Sequence, residues 1–182
     1  MDVFQKAFDF EDAKRVREMG LYLYFRTIDS GQDPVVVMDG NDVIMLGSNN
    51  YLGLTNHPEI KEAAIKALRD YGSGTAGSRF LNGTLDIHVK LEEKLAEFMK
   101  REAALCFSTG FAVNLGVISS LVGRRDVVIL DNLDHACILD GARLSYGRTL
   151  KYAHNDMDAL EERLRSVGDD NGAMIVVDGV FS

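Results

Sequence analysis

The sequence predicts an α/β protein built on a mainly parallel β-sheet. From about residue 102 onward, short and nearly all-apolar segments alternate with amphipathic segments that have helical spacing. Short apolar strands joined by helices indicate a parallel sheet that is covered by helices on both faces. The chain has 182 residues, of which 46% are hydrophobic, so it is long enough to bury a sizeable core.

The first 55 residues do not follow this alternation and are predicted to form a separate helix and hairpin segment. An amphipathic helix is expected from Phe4 to Met19. Further along, Asp39 and Gly40 lie between two β-rich runs, which predicts a tight β-hairpin. Residues 56–182 are assigned to the domain that carries the sheet.

A helix and a glycine-rich loop come next. The helix is predicted from His57 to Tyr71, stopped by Gly72, and the loop that follows holds four glycines from Gly72 to Gly83. Thr84 is predicted to cap the next helix. Because the loop follows a helix rather than a strand, it does not fit the dinucleotide-binding pattern, and NAD is not expected. The apolar stripe of the helix after the loop consists of Ile87, Leu91, Leu95 and Phe98.

The alternating region is predicted to supply four strands of the sheet, which are AALCF, DVVIL, LKYA and AMIVV. Helices are expected between them at Phe111–Leu121, His135–Leu144 and Met157–Val167. Parallel sheets bind ligands at the carboxyl ends of their strands. The candidate site is therefore formed by the loops STGF, DNLDHA, AHND and DGVFS.

Two of these loops contain local signals for a ligand. The segment Ser108, Thr109, Gly110, Phe111 opens a helix, where free N–H groups and the helix dipole favour a phosphate, although Ser and Thr also act there as simple caps. His135 follows another strand and could stack on a planar ligand or be a capped surface group. By contrast, His154 is assigned a structural place only, because Asn155 beside it makes a good helix cap.

Charge and composition exclude several classes of function. Acidic residues outnumber basic ones, 28 to 20, and the basic residues are scattered, so nucleic acid is not an expected partner. Cys106 and Cys137 lack zinc-ligand spacing, no other group of residues has a defensible metal pattern, and a reducing cytoplasmic location is expected. No apolar run reaches the ~18 residues needed for a membrane span.

Seven motifs in order along the chain resemble the α-oxoamine synthases: SNNYLGL, YGSGTAGSRFLNGT, HVKLEEKLAEF, FSTGFAVNLG, DHACILDGARLS, KYAHNDMDALE and DGVFS. Within that family, the segments GSRFLNGTLDIH, FSTGF and GLYLYFR look most like the bacterial serine palmitoyltransferase branch. The resemblance implies the fold-type I (aspartate aminotransferase-like) PLP-transferase fold and a homodimer. It also implies a decarboxylating condensation of a small amino acid, serine favoured, with an acyl-CoA to give a 3-oxo amine, using pyridoxal 5′-phosphate (PLP).

The same resemblance implies roles for individual residues. The amides of Gly110 and Phe111 would hold the PLP phosphate, with Ser108 and Thr109 shaping the turn. His135 would stack on the PLP ring and help to position the amino-acid carboxylate. By the same comparison, Asn49 would contact substrate near the dimer interface, and Ser182 would lie near the PLP phenolic oxygen.

The family's pyridine-binding aspartate, its histidine beside the phenolic oxygen and its PLP-binding lysine all fall later than the last motif matched here. Residues 56–182 are therefore expected to be part of the PLP-binding large domain, and the 182-residue chain alone is expected to be inactive. The alternatives are a non-catalytic truncated paralogue that dimerises with a complete subunit, or 8-amino-7-oxononanoate synthase or 2-amino-3-ketobutyrate CoA ligase activity in the full-length protein. An unrelated Rossmann-like nucleotide-binding protein is a further alternative.

Overall fold

The computed structural model describes residues 2–181, and the chain divides after Gly83 into two units. The first unit contains α1 (Gln5–Phe8), α2 (Asp12–Glu18), β1 (Val35–Met38), β2 (Asn41–Ile44) and α3 (Pro58–Tyr71). The second unit contains α4 (Asp86–Phe98), α5 (Gly110–Leu121), β3 (Val127–Asp131), α6 (Ala136–Leu144), β4 (Arg148–Tyr152), α7 (Met157–Arg165) and β5 (Ala173–Val176).

Three parallel strands form the sheet of the second unit, in the order β4-β3-β5. All five residues of the central strand β3 are buried. Because side chains alternate across a strand, Val128 and Leu130 pack with α5 and α6, while Val127 and Ile129 pack on the side of α7. The predicted α/β fold with a parallel sheet covered on both faces is confirmed.

One predicted strand is wrong. Residues 103–107 (AALCF) have no strand structure and do not join the described sheet. The backbone N–H of Cys106 donates instead to a carboxylate oxygen of Glu92 in α4, at 2.8 Å. An apolar run becomes a strand only where a neighbouring strand accepts its hydrogen bonds, and here a helix side chain takes that place.

The predicted single helix from Phe4 to Met19 is also wrong, because it is divided into α1 and α2. The Asp9 backbone N–H ends α1 by bonding to the carbonyl of Gln5, and the Asp9 carboxylate accepts from the Gln5 side chain. Neither helix buries a residue. Without packing, short helical turns have little to hold them in one continuous helix.

The hairpin of the first unit is confirmed. Strands β1 and β2 are antiparallel, and the central turn residues Asp39 and Gly40 have φ angles of 51° and 74°. Positive φ at both positions is what a two-residue type I′ turn requires, and Asp-Gly supplies it at low cost.

The glycine-rich loop that follows α3 folds back on itself. A side chain at Gly77 would collide with Asn82, and one at Gly83 would collide with the backbone of Gly77. These two glycines are therefore required by packing within the loop. At its end, Thr84 does not cap α4 as predicted, since Leu85 is the N-cap residue and its N–H donates to Nδ1 of His88.

Candidate cofactor-binding site

The amino terminus of α5 presents two unused backbone donors. Thr109 is the N-cap residue, and its hydroxyl oxygen accepts from the N–H of Ala112 at 3.1 Å. The N–H groups of Gly110 and Phe111 have no acceptor among residues 2–181. Free amides at a helix start favour an anion such as a phosphate, because the positive end of the helix dipole adds to them.

Gly110 leaves open space at this helix start. A Cβ atom at Gly110 would meet nothing within 4 Å, and its φ is not in the left-handed region, so neither packing nor backbone geometry requires glycine here. The neighbouring Ser108 is exposed in the preceding bend. The turn can therefore admit a group that approaches the backbone closely.

His135 is the N-cap residue of α6 rather than its first helical residue. Its Nδ1 accepts from the N–H of Cys137 at 3.1 Å, so a neutral ring carries its proton on Nε2. The residue as a whole is exposed. Its ring lies edge-to-face with that of Phe111, with centroids 6.5 Å apart and planes at 81°. The structure thus brings the α5 turn and His135 together at one edge of the sheet.

A buried carboxylate lies behind this edge. Asp131, the last residue of β3, is 2% exposed, and its two oxygens accept from the backbone of Leu133 at 2.9 Å and of Asn155 at 3.0 Å. Nδ1 of His154 lies 3.0 Å from the first of these oxygens and is the donor, since a carboxylate can only accept. Asn155 is not the cap of α7 as predicted, because Asp156 is the N-cap residue and its carboxylate accepts from the N–H of Ala159.

A second buried carboxylate, Asp134, links two loops. It is 5% exposed and accepts from the N–H of Asp131 at 2.8 Å and from the N–H of Asp178 at 3.0 Å. The Asp178 carboxylate in turn accepts from the N–H of His135 at 2.8 Å. The loops after β3 and β5 are therefore joined through side chains at His135, the N-cap residue of α6.

The two buried carboxylates have opposite pKa shifts. Burial raises the pKa of Asp134, and the negative charges of Asp178 and Asp131 raise it further, so that backbone hydrogen bonds only partly offset the increase. Burial also acts to raise the pKa of Asp131, but the hydrogen bonds from Leu133, Asn155 and His154 outweigh it, and the pKa is lowered. Backbone hydrogen bonds thus lower the pKa of both carboxylates, but only for Asp131 do they outweigh burial, together with the hydrogen bond from His154.

Sequence reasoning missed this carboxylate network. Asp131, Asp134 and Asp178 all lie in the loops that follow predicted strands, and an acidic residue at such a position was the available signal. The sequence also did not indicate a partner for His154. The ring of His154 packs edge-to-face on that of Phe181, with centroids 4.6 Å apart.

Two further predicted site residues, Asn49 and Ser182, stay predictions. Asn49 is exposed in an irregular segment of the first unit, and its carbonyl accepts from the N–H of Tyr51. Ser182 lies outside the described residues. No group of three or more His, Cys, Asp or Glu side chains suited to a metal ion occurs among residues 2–181. In the same range, no helix has the length and apolar character needed to cross a membrane.

Residues 41–182 match the aminotransferase class I and II family. This chain belongs to that family. One curated relative is the serine palmitoyltransferase of Sphingobacterium spiritivorum. It is 54% identical to this chain, and the match covers 95% of this chain and 43% of the relative. Another is the 8-amino-7-oxononanoate synthase of Geobacter sulfurreducens, 48% identical over 94% of this chain and 44% of the relative. The chain spans less than half the length of these relatives.

Two solved structures are similar to this chain over its whole length. The serine palmitoyltransferase of S. paucimobilis with a bound PLP–myriocin aldimine has a TM-score of 0.93 at 34% identity, covering 100% of this chain and 46% of that one. The Sphingomonas wittichii serine palmitoyltransferase has a TM-score of 0.91 at 38% identity, with the same coverage. The predicted resemblance to the α-oxoamine synthases and the predicted fold class are confirmed.

Proposed function

We propose that the full-length protein containing this chain is a PLP-dependent acyltransferase. It condenses a small amino acid, with serine favoured, with an acyl-CoA and releases carbon dioxide to give a 3-oxo amine. Relatives named serine palmitoyltransferase that are 54% and 53% identical to this chain support the choice of serine. The relative named 8-amino-7-oxononanoate synthase, at 48% identity, supports that activity as the second candidate.

The observation that carries the proposal is the pairing of an anion-binding helix start with an exposed aromatic ring at one sheet edge. The N–H groups of Gly110 and Phe111 would hold the PLP phosphate, with Ser108 and Thr109 shaping the turn. The imidazole of His135 would lie against the PLP ring. The free amides, the open space at Gly110 and the exposed ring all fit this cofactor.

PLP supplies an electron sink for the carbanion formed at the amino acid, and the protein supplies binding and orientation. In this chain the α5 turn would bind the phosphate, while His135 would orient the ring and exclude water from one of its faces. Its Nε2–H can donate to the amino-acid carboxylate, because Nδ1 is occupied by the N–H of Cys137. Asn49 is proposed to contact substrate and Ser182 the phenolic oxygen of PLP. The active form is proposed to be a cytoplasmic homodimer.

An assay of the full-length protein tests this function. Serine, glycine and alanine are each combined with short-chain and long-chain acyl-CoAs, and released CoA and carbon dioxide are measured. Turnover with serine and a long acyl chain is expected, and a different preferred pair would indicate another α-oxoamine synthase activity. No turnover with any pair, together with no PLP absorbance in the purified protein, would contradict the proposal and favour a non-catalytic paralogue.

A further inference from the structure

The position of His135 depends on a residue 43 positions later in the chain. Oδ2 of Asp178 accepts from the backbone N–H of His135 at 2.8 Å. The His135 side chain then turns back to cap α6 through Cys137, so its ring direction follows from where its backbone is held. The carboxylate also lies at the start of a nine-residue helix, where the helix dipole favours negative charge.

The backbone of Asp178 is in turn hydrogen-bonded to the residue before His135. Its backbone N–H donates to Oδ1 of Asp134 at 3.0 Å, and Oδ2 of Asp134 accepts from the N–H of Asp131 at 2.8 Å. Backbone pairing between β3 and β5 ends at Leu130 opposite Val176. Beyond that point, the two carboxylates continue the connection between the strands. The link is reciprocal, since residues 134–135 and residue 178 each give and accept one hydrogen bond.

We propose that Asp178 is a positioning residue for His135, that it acts through the His135 amide, and that Asp134 holds Asp178 in place for this task. The functional part rests on the proposed function, in which the His135 ring lies against PLP. A stacked ring acts only within about 0.5 Å of its working position, so a hydrogen bond that fixes its backbone controls the tilt of the cofactor.

Three variants of the full-length protein test the proposal. Asp178→Ala removes the acceptor, whereas Asp178→Asn keeps a neutral oxygen in place. The matched control is Asp140→Ala, since Asp140 lies on α6 and its side chain bonds to Arg143 of the same helix. The first measurement is hydrogen exchange of the His135 amide without PLP. The second is the PLP dissociation constant together with visible circular dichroism of bound PLP, which reports the tilt of the ring.

For Asp178→Ala, exchange of the His135 amide should accelerate about tenfold or more, PLP should bind about tenfold more weakly, and the dichroism band should change. Asp178→Asn should restore both readouts nearly to wild type, and Asp140→Ala should alter neither. If Asp178→Ala does not fold, Asp178→Glu takes its place, because one added methylene displaces the acceptor. Unchanged exchange and dichroism in the substituted protein would overturn the proposal. If the wild type binds no PLP, the proposed function fails, but the exchange measurement still decides whether Asp178 positions His135.

Discussion

At the scale of single residues, Gly110 allows the effect of a substitution on folding to be separated from its effect on ligand binding. It is the first residue of α5, and the open space around it means that the fold itself does not require glycine. Thr109 before it has φ −148° and ψ 156°, a conformation compatible with a following proline. Proline is also well tolerated at the first position of a helix.

Gly110→Pro in the full-length protein should therefore weaken PLP binding while leaving the fold intact. The substitution removes one N–H donor to a charged phosphate, which corresponds to a loss of about tenfold or more in affinity. The free energy of unfolding without PLP should change by less than about 1 kcal/mol. Gly110→Ala keeps the N–H and serves as the control. Equal PLP affinity in Gly110→Pro and the wild type, measured by titration, would exclude this amide from the phosphate site.

The two buried carboxylates should respond to acid in opposite ways. Asp134→Asn replaces one acceptor oxygen with a donor and leaves a buried N–H unsatisfied, which costs about 1–3 kcal/mol. Because the folded-state pKa of Asp134 is raised, its titration contributes stability that is present below the ordinary pKa and is lost as the pH rises through the folded-state pKa. The stability difference between wild type and Asp134→Asn should therefore widen in mild acid.

Asp131 supplies the matching comparison. Its folded-state pKa is lowered, so its contribution is present above the ordinary pKa and is lost as the pH falls through the folded-state value. The difference between wild type and Asp131→Asn should then narrow once the pH falls below the ordinary carboxyl pKa of 3.8. Urea unfolding of the full-length protein at neutral pH, in mild acid and below pH 3.8 measures both. Differences that move in the same direction for the two variants would contradict the assigned pKa shifts.

At the scale of secondary-structure elements, the close crossing of α5 and α6 sets the positions of the two helix starts that form the site. A Cβ atom at Gly141 of α6 would lie 2.7 Å from the backbone oxygen of Asn114 in α5. On the other side of the same contact, the side-chain amide of Asn114 donates to Sγ of Cys137 at 3.0 Å. The two helices can approach this closely only because residue 141 has no side chain.

Gly141→Ala should lower the melting temperature. Alanine improves intrinsic helix propensity by about 1 kcal/mol, but overpacking against a backbone atom costs about 1–3 kcal/mol. Thermal unfolding monitored by circular dichroism would measure the outcome, with Gly110→Ala, which meets open space, as the control. A melting temperature at or above that of the wild type would mean that the helices can separate at no cost.

Local patterns were sufficient to predict most elements, including the helix starts near Thr109 and His135, whose contacts with PLP stay predictions. Thr109 and His135 follow from capping chemistry at the ends of apolar runs, which depends on a few neighbouring residues. Residues 103–107 could not be assigned correctly, because an apolar run becomes a strand only if a distant segment pairs with it. The position of Asp178 after a predicted strand was a usable signal, but its partners could not be predicted, since its hydrogen bonds join positions 43 and 44 residues apart.

At the scale of the whole molecule, large apolar side chains lie exposed on the first unit. Leu52 is 81% exposed and Phe80 is 93% exposed. By resemblance to the α-oxoamine synthases, SNNYLG, which contains Leu52, and GSGTAGSR, which Phe80 directly follows, are expected to reach a subunit interface. Exposed apolar groups of this size commonly mark surfaces that a partner covers. We expect a second copy of the full-length protein to cover them.

Replacing both Leu52 and Phe80 by Glu in the full-length protein should weaken the dimer by about tenfold or more, because charge buried without a partner is costly. Gln32→Glu changes an exposed residue of the same unit and should leave the dimer intact. Sedimentation velocity over a range of protein concentrations would measure the association. A wild-type protein that sediments as a monomer would contradict the expected homodimer.

The link between His135 and Asp178 also has a consequence for the timing of biosynthesis. At about 5–20 residues per second, a ribosome needs about 2–9 s to add the 43 residues that separate them. Until Asp178 has been added, the amide of His135 lacks this acceptor, although α6 and the residues of β3 have already been made. The contact is therefore absent while β3, α6, β4 and α7 are being made, so PLP could not act through it as a template for their first folding steps.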